Sequence, residues 1–363
     1  MFKTYTYNVF LVLTLLMMSS CTKDDGYIGV EPDPISPVVF NVDSLPYNNL
    51  SEYNFFEGAM SDLSPVFGVL PYDLNAALFS DYAKKKRFIW MPKDSSAKYV
   101  NDYSSLKFPT GTILIKNFYY ENVLPEMNTK IIETRLMIKL EDEWTFANYE
   151  WNDAQTDANF TADNKFIAFD WELNGETRSV NYKIPRFAEC FTCHNNSDNP
   201  VPIGLKPQNI NKNHSYADGS KNQLTKWVEQ GYLDDNYPSY INSLVEWDDE
   251  SQPLDLRVRS YFDINCAHCH TDQGYCNYAP LRFDFNKTED LSNLGVCVEN
   301  MFYINPDISH IVNPNSIESS ALFYRLSSEE GIFKMPFIGT TLNHEEGINL
   351  IEEWINSLTQ ECN

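Results

Sequence analysis

The sequence predicts a multidomain chain in which an all-β, antiparallel, sandwich-like N-terminal domain is followed by a mainly α-helical region. The 363 residues exceed the size of one ordinary domain. The aromatic share of 14% favours β structure in part of the chain. Short runs rich in β-branched and aromatic residues continue to about Pro185, and segments with helical periodicity replace them beyond it.

The N-terminus has the pattern of an export signal. Lys3 precedes an apolar stretch at 9–18 that is too short to span a bilayer. Small residues then lead to a cysteine, as in the lipobox of bacterial lipoproteins. We therefore predict a lipoprotein signal peptide at 1–20, a membrane anchor on lipidated Cys21 and a flexible tether at 21–46. A plain cleaved signal peptide is the alternative. The predicted location is the cell envelope, as an outer-membrane or surface lipoprotein, or otherwise the periplasm.

The segment 47–185 is predicted to form the β domain. Gly111–Tyr120 and Ile131–Leu140 combine β-branched and aromatic residues with partial alternation of apolar and polar positions. Asn174-Gly175 lies between two strand-like runs and predicts a hairpin turn. Further strand-like runs are Arg87–Met91, Glu143–Trp151 and Phe166–Trp171.

The helical region is divided into 186–250 and 251–363. In Glu345–Leu358 the apolar residues recur with i, i+3, i+4 spacing, which predicts an amphipathic helix with one buried face. Two other segments, Gln223–Gly231 and Leu254–Asp263, also have helical patterns.

Four of the eight cysteines form two copies of the motif C-x-x-C-H, at Cys190–His194 and Cys266–His270. This is the attachment signature of c-type haem, because two cysteines three residues apart can form thioethers to one porphyrin while the histidine binds its iron. The alternatives are a structural zinc and a redox disulfide. Zinc-ribbon pairs lie roughly 15–20 residues apart and these are far more distant, and thioredoxin-type motifs lie in a βαβ context that this region lacks. We predict two covalently bound haem c groups. Their attachment residues are Cys190, Cys193, His194, Cys266, Cys269 and His270.

Met335 is predicted to bind the other face of the second iron. It lies in Lys334-Met335-Pro336, after a long loop region and before the last helix, and methionine is a common second ligand in cytochromes c. The alternative is a core methionine that fills a gap. No Met-Pro motif follows the first haem motif, so His214, Met137 or no residue remain open as its sixth ligand.

Several short segments outside these motifs carry a family resemblance. They are Leu70–Leu74, Leu78–Tyr82, Phe108–Gly111, Glu133–Leu136, Tyr149–Asn152, Asn222–Leu224, Arg257–Phe262 and Ile311–Pro314. With them the chain resembles a family of exported two-haem c-type cytochromes that join a β-rich N-terminal domain to a class I-like cytochrome c domain. The resemblance covers almost everything after residue 50. It implies haem c, electron carriage, and His194, His270 and Met335 as iron ligands.

The predicted function is electron transfer in the cell envelope by a di-haem c-type cytochrome, with no catalytic residue. Lys+Arg total 27 against Asp+Glu 51, and the net charge of −24 argues against nucleic acid as a partner. Redox proteins of the envelope are the predicted partners. The alternative is a haem-dependent peroxidase or oxidase in which the first haem is the reactive centre.

Three cysteines lie outside the haem motifs and the lipobox. An oxidising compartment favours a disulfide between Cys276 and Cys297, while Cys362 pairs with either of them or stays free. His344 has no partner pattern and is expected at the surface.

Overall fold

The computed structural model describes residues 34–197 and 199–362. The predicted signal peptide, the predicted lipidation site Cys21 and most of the predicted tether therefore lie outside the described residues. From Ser36 onward the chain forms one compact unit, so the segments 47–185, 186–250 and 251–363 pack together. No helix in the described ranges is both long and apolar enough to cross a membrane.

An antiparallel sheet dominates the first half of the described chain. It is preceded by a small two-stranded ladder, β1 (Phe56–Glu57) with β2 (Ser64–Pro65). The eight strands of the main sheet are β3 (Leu70–Tyr72), β4 (Lys84–Trp90), β5 (Ile113–Val123), β6 (Asn128–Lys139), β7 (Trp144–Trp151), β8 (Ala158–Thr161), β9 (Lys165–Leu173) and β10 (Glu176–Ile184). The antiparallel β-rich N-terminal region is thus confirmed.

The strands that were predicted to form a sandwich-like domain are hydrogen-bonded into a single sheet. Strands β3 to β8 are neighbours in chain order, and the β9–β10 hairpin joins β5 through the pair Val123 and Trp171. The predicted hairpin turn is confirmed at Asn174-Gly175, where both residues have positive φ, 55° and 84°. A two-residue turn of this kind requires positive φ at both positions, which asparagine and glycine adopt most readily.

The two faces of the sheet bury different partners. Because successive strand side chains point to opposite faces, β5 places Ile113 and Ile115 in one apolar cluster and Leu114 in another. Leu114 lies in register with Met137 of β6, and the cluster around them also contains Cys190 of the first motif. One face of the sheet therefore packs against the first C-x-x-C-H motif.

The second half of the described chain is mainly helical. Its helices are α1 (Phe187–Cys193), α2 (Pro207–Ile210), α3 (Gln223–Glu229), α4 (Leu254–Asn265), α5 (Ala321–Ser327) and α6 (Glu345–Ser357). Two short ladders lie between α1 and α3: β11 (Asn195–Asn196) with β12 (Asn199–Pro200), and β13 (Asn213–Tyr216) with β14 (Gly219–Asn222). Short 3-10 helices are Val42–Ser44, Leu50–Tyr53, Met60–Asp62 and Leu291–Leu294. The three helices predicted from periodicity are confirmed as α3, α4 and α6.

Helices α4 and α6 cross at very close range. A Cβ atom at Gly347 of α6 would overlap the hydroxyl of Tyr261 in α4, so only glycine fits at this position. Beyond the crossing, Phe262 of α4 packs edge to face against Trp354 of α6, with 6.0 Å between ring centroids. Both helices belong to one apolar cluster in the C-terminal segment.

A buried carboxylate joins the β region to the C-terminal segment. Asp81, which is 2% exposed, accepts hydrogen bonds from the amides of Thr341 and Leu342, both at 2.8 Å. The hydroxyl of Thr341 donates to the same carboxylate at 3.0 Å. These bonds hold the loop between Met335 and α6 against the segment that connects β3 to β4.

The favoured disulfide between Cys276 and Cys297 is wrong, because Cys297 pairs with Cys362, which is one of the pairings that the sequence left open. The amide of Cys297 donates to the Val312 carbonyl at 3.0 Å. Cys362 lies beside the next residue, Asn313, so the two cysteines meet there. Cys276 is held elsewhere, since its amide donates to the carbonyl of Cys269 at 2.9 Å. It is a buried free thiol beside the second motif.

Candidate functional site

One cavity of about 610 Å³ reaches both cysteine motifs. The structure brings every predicted haem-binding residue of the described chain to its wall. These residues are Cys190, Cys193, His194, Cys266, Cys269, His270 and Met335. The cavity has the size of a typical ligand site in proteins, roughly 300–1,000 Å³.

The first motif is held against the sheet by aromatic packing. It begins on α1, a short helix that follows Pro185 and starts with the Arg186 amide bound to the Glu189 carboxylate at 3.2 Å. The ring of Phe191, between the two cysteines, packs edge to face on Phe146 of β7, with 5.1 Å between centroids. The helix thus presents its cysteines toward the sheet face that carries Phe146.

His194 has the orientation of a metal-binding histidine. Its Nδ1 lies 2.8 Å from the carbonyl oxygen of Val201, to which it donates when protonated there. This bond leaves Nε2 free to bind an iron atom, as is usual for histidines that ligate metals. Burial lowers the pKa of His194 to about 4, so the ring is neutral near pH 7 and can donate a lone pair.

The second motif follows α4 directly. Phe262 stacks on Phe283 with 4.7 Å between ring centroids, and His270 packs edge to face on the same Phe283 at 5.4 Å. The amide of Phe283 donates to the His270 carbonyl at 3.0 Å. Burial lowers the pKa of His270 to about 4. Its Nδ1 is buried and has no hydrogen-bond partner in the described residues, so the structure contains an unsatisfied ring nitrogen at this position.

Met335 reaches the same cavity from the C-terminal side. Its amide donates to the carbonyl of Arg325 in α5 at 2.9 Å, which fixes the loop beside the helix. The side chain is partly buried against the apolar cluster of α4 and α6. A thioether held in this way can serve as a ligand to a group inside the cavity.

The two motifs touch each other. The sulfur atoms of Cys193 and Cys269 and a ring nitrogen of His268 all lie within 4.8 Å of one another. A hydrogen bond from the Cys269 thiol lowers the pKa of Cys193.

This cluster allows two kinds of chemistry. Three ligand atoms fall one short of the four that a closed structural zinc site takes. That reading also gives no role to Cys190, His194, Cys266 or His270, which line the cavity as well. Two covalently attached haems would use both cysteines and the last histidine of each motif, so the residues present fit haem better than a single metal ion.

The two candidate residues for the sixth ligand of the predicted first haem differ in their position relative to the cavity. Met137 of β6 lines the cavity, whereas His214 lies on β13 and is absent from the described lining. His214 packs its ring on Tyr216, with 5.0 Å between centroids. Of the alternatives left open by the sequence, Met137 and no ligand at all remain compatible with the position of the cavity.

The expected surface position of His344 is wrong. Its ring stacks on Phe79 with 4.1 Å between centroids, and its Nδ1 lies 3.0 Å from the Tyr261 hydroxyl. These aromatic neighbours come from distant parts of the chain, so the sequence around His344 carries no signal of them. The ring lines the cavity together with both neighbours.

Two cavity residues, Lys116 of β5 and Arg135 of β6, were missed by motif reasoning. Each is a single basic residue inside a run of strand-forming residues, at a position where alternation places it on the face of Leu114 and Met137. That break in the apolar pattern is the one signal that the sequence offers for them.

Comparisons of the chain with protein-family models, with curated proteins and with solved structures gave no match. The interpretation of the cavity therefore depends on its own residues.

Proposed function

We propose that this chain is a di-haem c-type cytochrome that transfers electrons in the cell envelope and is held to the membrane by a lipid on Cys21. The observation that carries the proposal is the single cavity lined by both C-x-x-C-H motifs and by Met335. Redox proteins of the envelope are its proposed partners.

Each of the two motifs would bind one haem. Cys190 and Cys193 would attach one haem and His194 would bind its iron. The second set of cysteines, with His270 and Met335, would do the same for the other. Haem iron supplies reversible one-electron chemistry, and the surrounding side chains exclude water and set the potential.

The contact between the motifs supports electron exchange inside the molecule. The sulfur atoms of Cys193 and Cys269 lie within 4.8 Å, and each would be bonded to the edge of its own porphyrin. The attachment points of the two groups are thus adjacent, so an electron that enters at one haem has a short path to the other.

The C-terminal segment supports the finer proposal of a class I-like cytochrome c domain at 251–363. Helix α4 leads into the second motif, the Met335 loop follows, and α6 closes the segment by crossing α4 at Gly347. The order helix, attachment motif, methionine loop and helix suits a haem held between two crossed helices.

The test is maturation of the full chain in a host that attaches haem c, followed by mass spectrometry of the intact protein. We expect two covalent haems in the wild type and one in the double variant Cys266→Ala/Cys269→Ala. Cys276→Ala is the matched control, because this buried thiol lies beside the motif and outside it, and it should keep both haems. A wild type without covalent haem would refute the proposal.

The alternative function, a peroxidase or oxidase, depends on an iron with a free face. Addition of carbon monoxide to the reduced protein distinguishes the two functions. No spectral change supports a dedicated electron carrier. Binding to one haem would favour the enzyme, with the haem at His194 as its reactive centre.

A further inference from the structure

Three basic side chains lie in register across the sheet face that lines the cavity. Arg87 of β4 is directly opposite Lys116 of β5, and Lys116 is directly opposite Arg135 of β6. Like charges placed opposite each other in an antiparallel pair are destabilising. Nearby anions are therefore needed to offset the repulsion among these three cations.

The two outer cations have their anions. Arg87 pairs with Asp73 at 2.8 Å. Arg135 donates from Nε to Glu133 at 3.0 Å, and Glu133 is fully buried. In the described chain no ion pair joins the central Lys116 to a carboxylate.

The neighbours of Lys116 do not replace a counter-ion. Its Nζ lies 5.0 Å from the centre of the Phe118 ring, which also has Lys85 at 5.9 Å and Arg135 at 4.4 Å. A contact between a cation and an aromatic ring is weaker than an ion pair with a carboxylate, and here three cations share one ring. Glu189, the carboxylate of α1 that lines the cavity, is already paired with Lys183 at 2.7 Å.

Lys116 is oriented toward the space beside the first motif. It lines the cavity together with Arg135 and His194. Burial and the flanking cations lower the pKa of Lys116. Its amine, which has no carboxylate partner in the described residues, faces the place where the first haem would sit.

We propose that Lys116, assisted by Arg135, binds a carboxylate inside the cavity, and that this carboxylate is a propionate of the haem attached through Cys190 and Cys193. The inference rests on the proposed function, since it assigns residues that hold one of its two haems. Ammonium and guanidinium groups form their strongest hydrogen bonds with carboxylates. A propionate would supply the anion that the row of cations lacks.

The test measures the reduction potentials of both haems in the matured full-length protein. Lys116→Met removes the charge at nearly constant length, Lys116→Gln is a smaller change in case the first variant fails to fold, and Lys116→Arg keeps the charge. Lys86→Met is the matched control, because this neighbouring lysine of β4 is exposed. Mass spectrometry counts the haems before any potential is measured.

We expect Lys116→Met and Lys116→Gln to lower the potential of one haem, because loss of a positive charge stabilises ferric over ferrous iron. The haem with the Met335 signal should be unaffected. Lys116→Arg and Lys86→Met should match the wild type. If both haems are attached and Lys116→Met leaves both potentials unchanged, the inference fails while the proposed function stands.

Two other results would also overturn the inference. Loss of a low-spin signal in both Lys116→Met and Lys116→Arg would show that the lysine nitrogen binds iron. A potential that shifts on addition of phosphate or nitrite to the wild type, and not to Lys116→Met, would show that the anion comes from solution. Absence of covalent haem in the wild type would remove the proposed function itself, and mass spectrometry reveals that outcome separately.

Discussion

The two cysteine motifs have the same pattern, but their surroundings differ in kind. Cys190–His194 faces side chains of β5, β6 and β7, which belong to strands that end before the motif begins. Cys266–His270 lies among α4, α6 and the Met335 loop, which all belong to its own part of the chain. The residues that surround the second motif can be predicted from spacing along the chain, because they are near it in sequence. Those that surround the first motif come from distant strands and are known only from the fold.

The largest expected difference between the two sites concerns their methionines. Met335→Ala should remove the methionine signal of one haem in EPR and lower its potential, because a thioether ligand raises it. Met137→Ala should leave both haem signals and reduce the free energy of unfolding by about 2–5 kcal/mol, as for other buried methionines. If Met137→Ala also abolished a signal, both sites would be ligated by methionine and the comparison would break down.

A buried ion pair behind the first site should be sensitive to the loss of either partner. Glu133 is fully buried and accepts hydrogen bonds from Arg135 and from the Tyr182 hydroxyl at 2.6 Å. Glu133→Gln should lower the free energy of unfolding by about 3 kcal/mol, because it leaves the Arg135 charge without its partner.

The control for this variant is Glu121→Gln. Glu121 forms a solvent-exposed ion pair with Lys84 at 2.6 Å on the same sheet, and its loss should cost less than about 1 kcal/mol. Urea denaturation of the haem-free proteins measures both changes. Equal effects would mean that burial of Glu133 adds nothing to its pairing.

The corresponding stability test for the second site changes the close contact between α4 and α6. Gly347→Ala introduces a methyl group that overlaps the Tyr261 hydroxyl, and such overpacking costs about 1–3 kcal/mol. Gly331→Ala is the control, since a Cβ there meets nothing within 4 Å. Thermal unfolding followed by circular dichroism should show a lower midpoint for Gly347→Ala alone. A normal midpoint would mean that the two helices can separate without cost.

The smallest expected effect lies where the two regions meet, at His344. Burial lowers the pKa of His344 to about 3 and outweighs the Glu346 carboxylate, which lies 3.7 Å from its Nε2. The unfolded chain, with a histidine pKa near 6.5, binds the proton first as the pH falls. Stability is therefore complete above about pH 6.5 and decreases below it, on the order of 1 kcal/mol by pH 5.5.

Urea denaturation of the haem-free protein at several pH values measures this dependence. His344→Phe keeps an aromatic ring and removes the titrating group, so its curve should be flatter between pH 6.5 and 4. A variant with the same slope as the wild type would assign the pH dependence to other histidines.

Local patterns predicted most of the fold and the positions of the two motifs. The density of β-branched and aromatic residues located β4 to β7, and Asn174-Gly175 located a hairpin, because these features act between near neighbours. The sequence also predicted Met335 as a ligand, and this residue lines the cavity. Whether haem is bound stays a prediction.

The remaining features depend on residues that only the fold brings together. From the sequence alone, nothing distinguishes Lys116 from other lysines in strands. Its special position is known only from the strand register, which places Arg87 and Arg135 opposite it. Cys297 could have paired with either of two cysteines, and the structure joins it to Cys362 across 65 residues of chain. No spacing rule predicts such pairings, because they depend on tertiary packing.

The hydrogen bonds of Asp81 bear on how this protein can be divided. The amides of Thr341 and Leu342, a few residues after Met335, find their acceptor in the β region and not in their own segment. A fragment that starts at residue 251 would contain the whole second motif and still lack this acceptor. The two halves are therefore not independent modules. A truncated protein would lose the hydrogen bonds that hold the methionine loop, even with every predicted haem-binding residue of the segment intact.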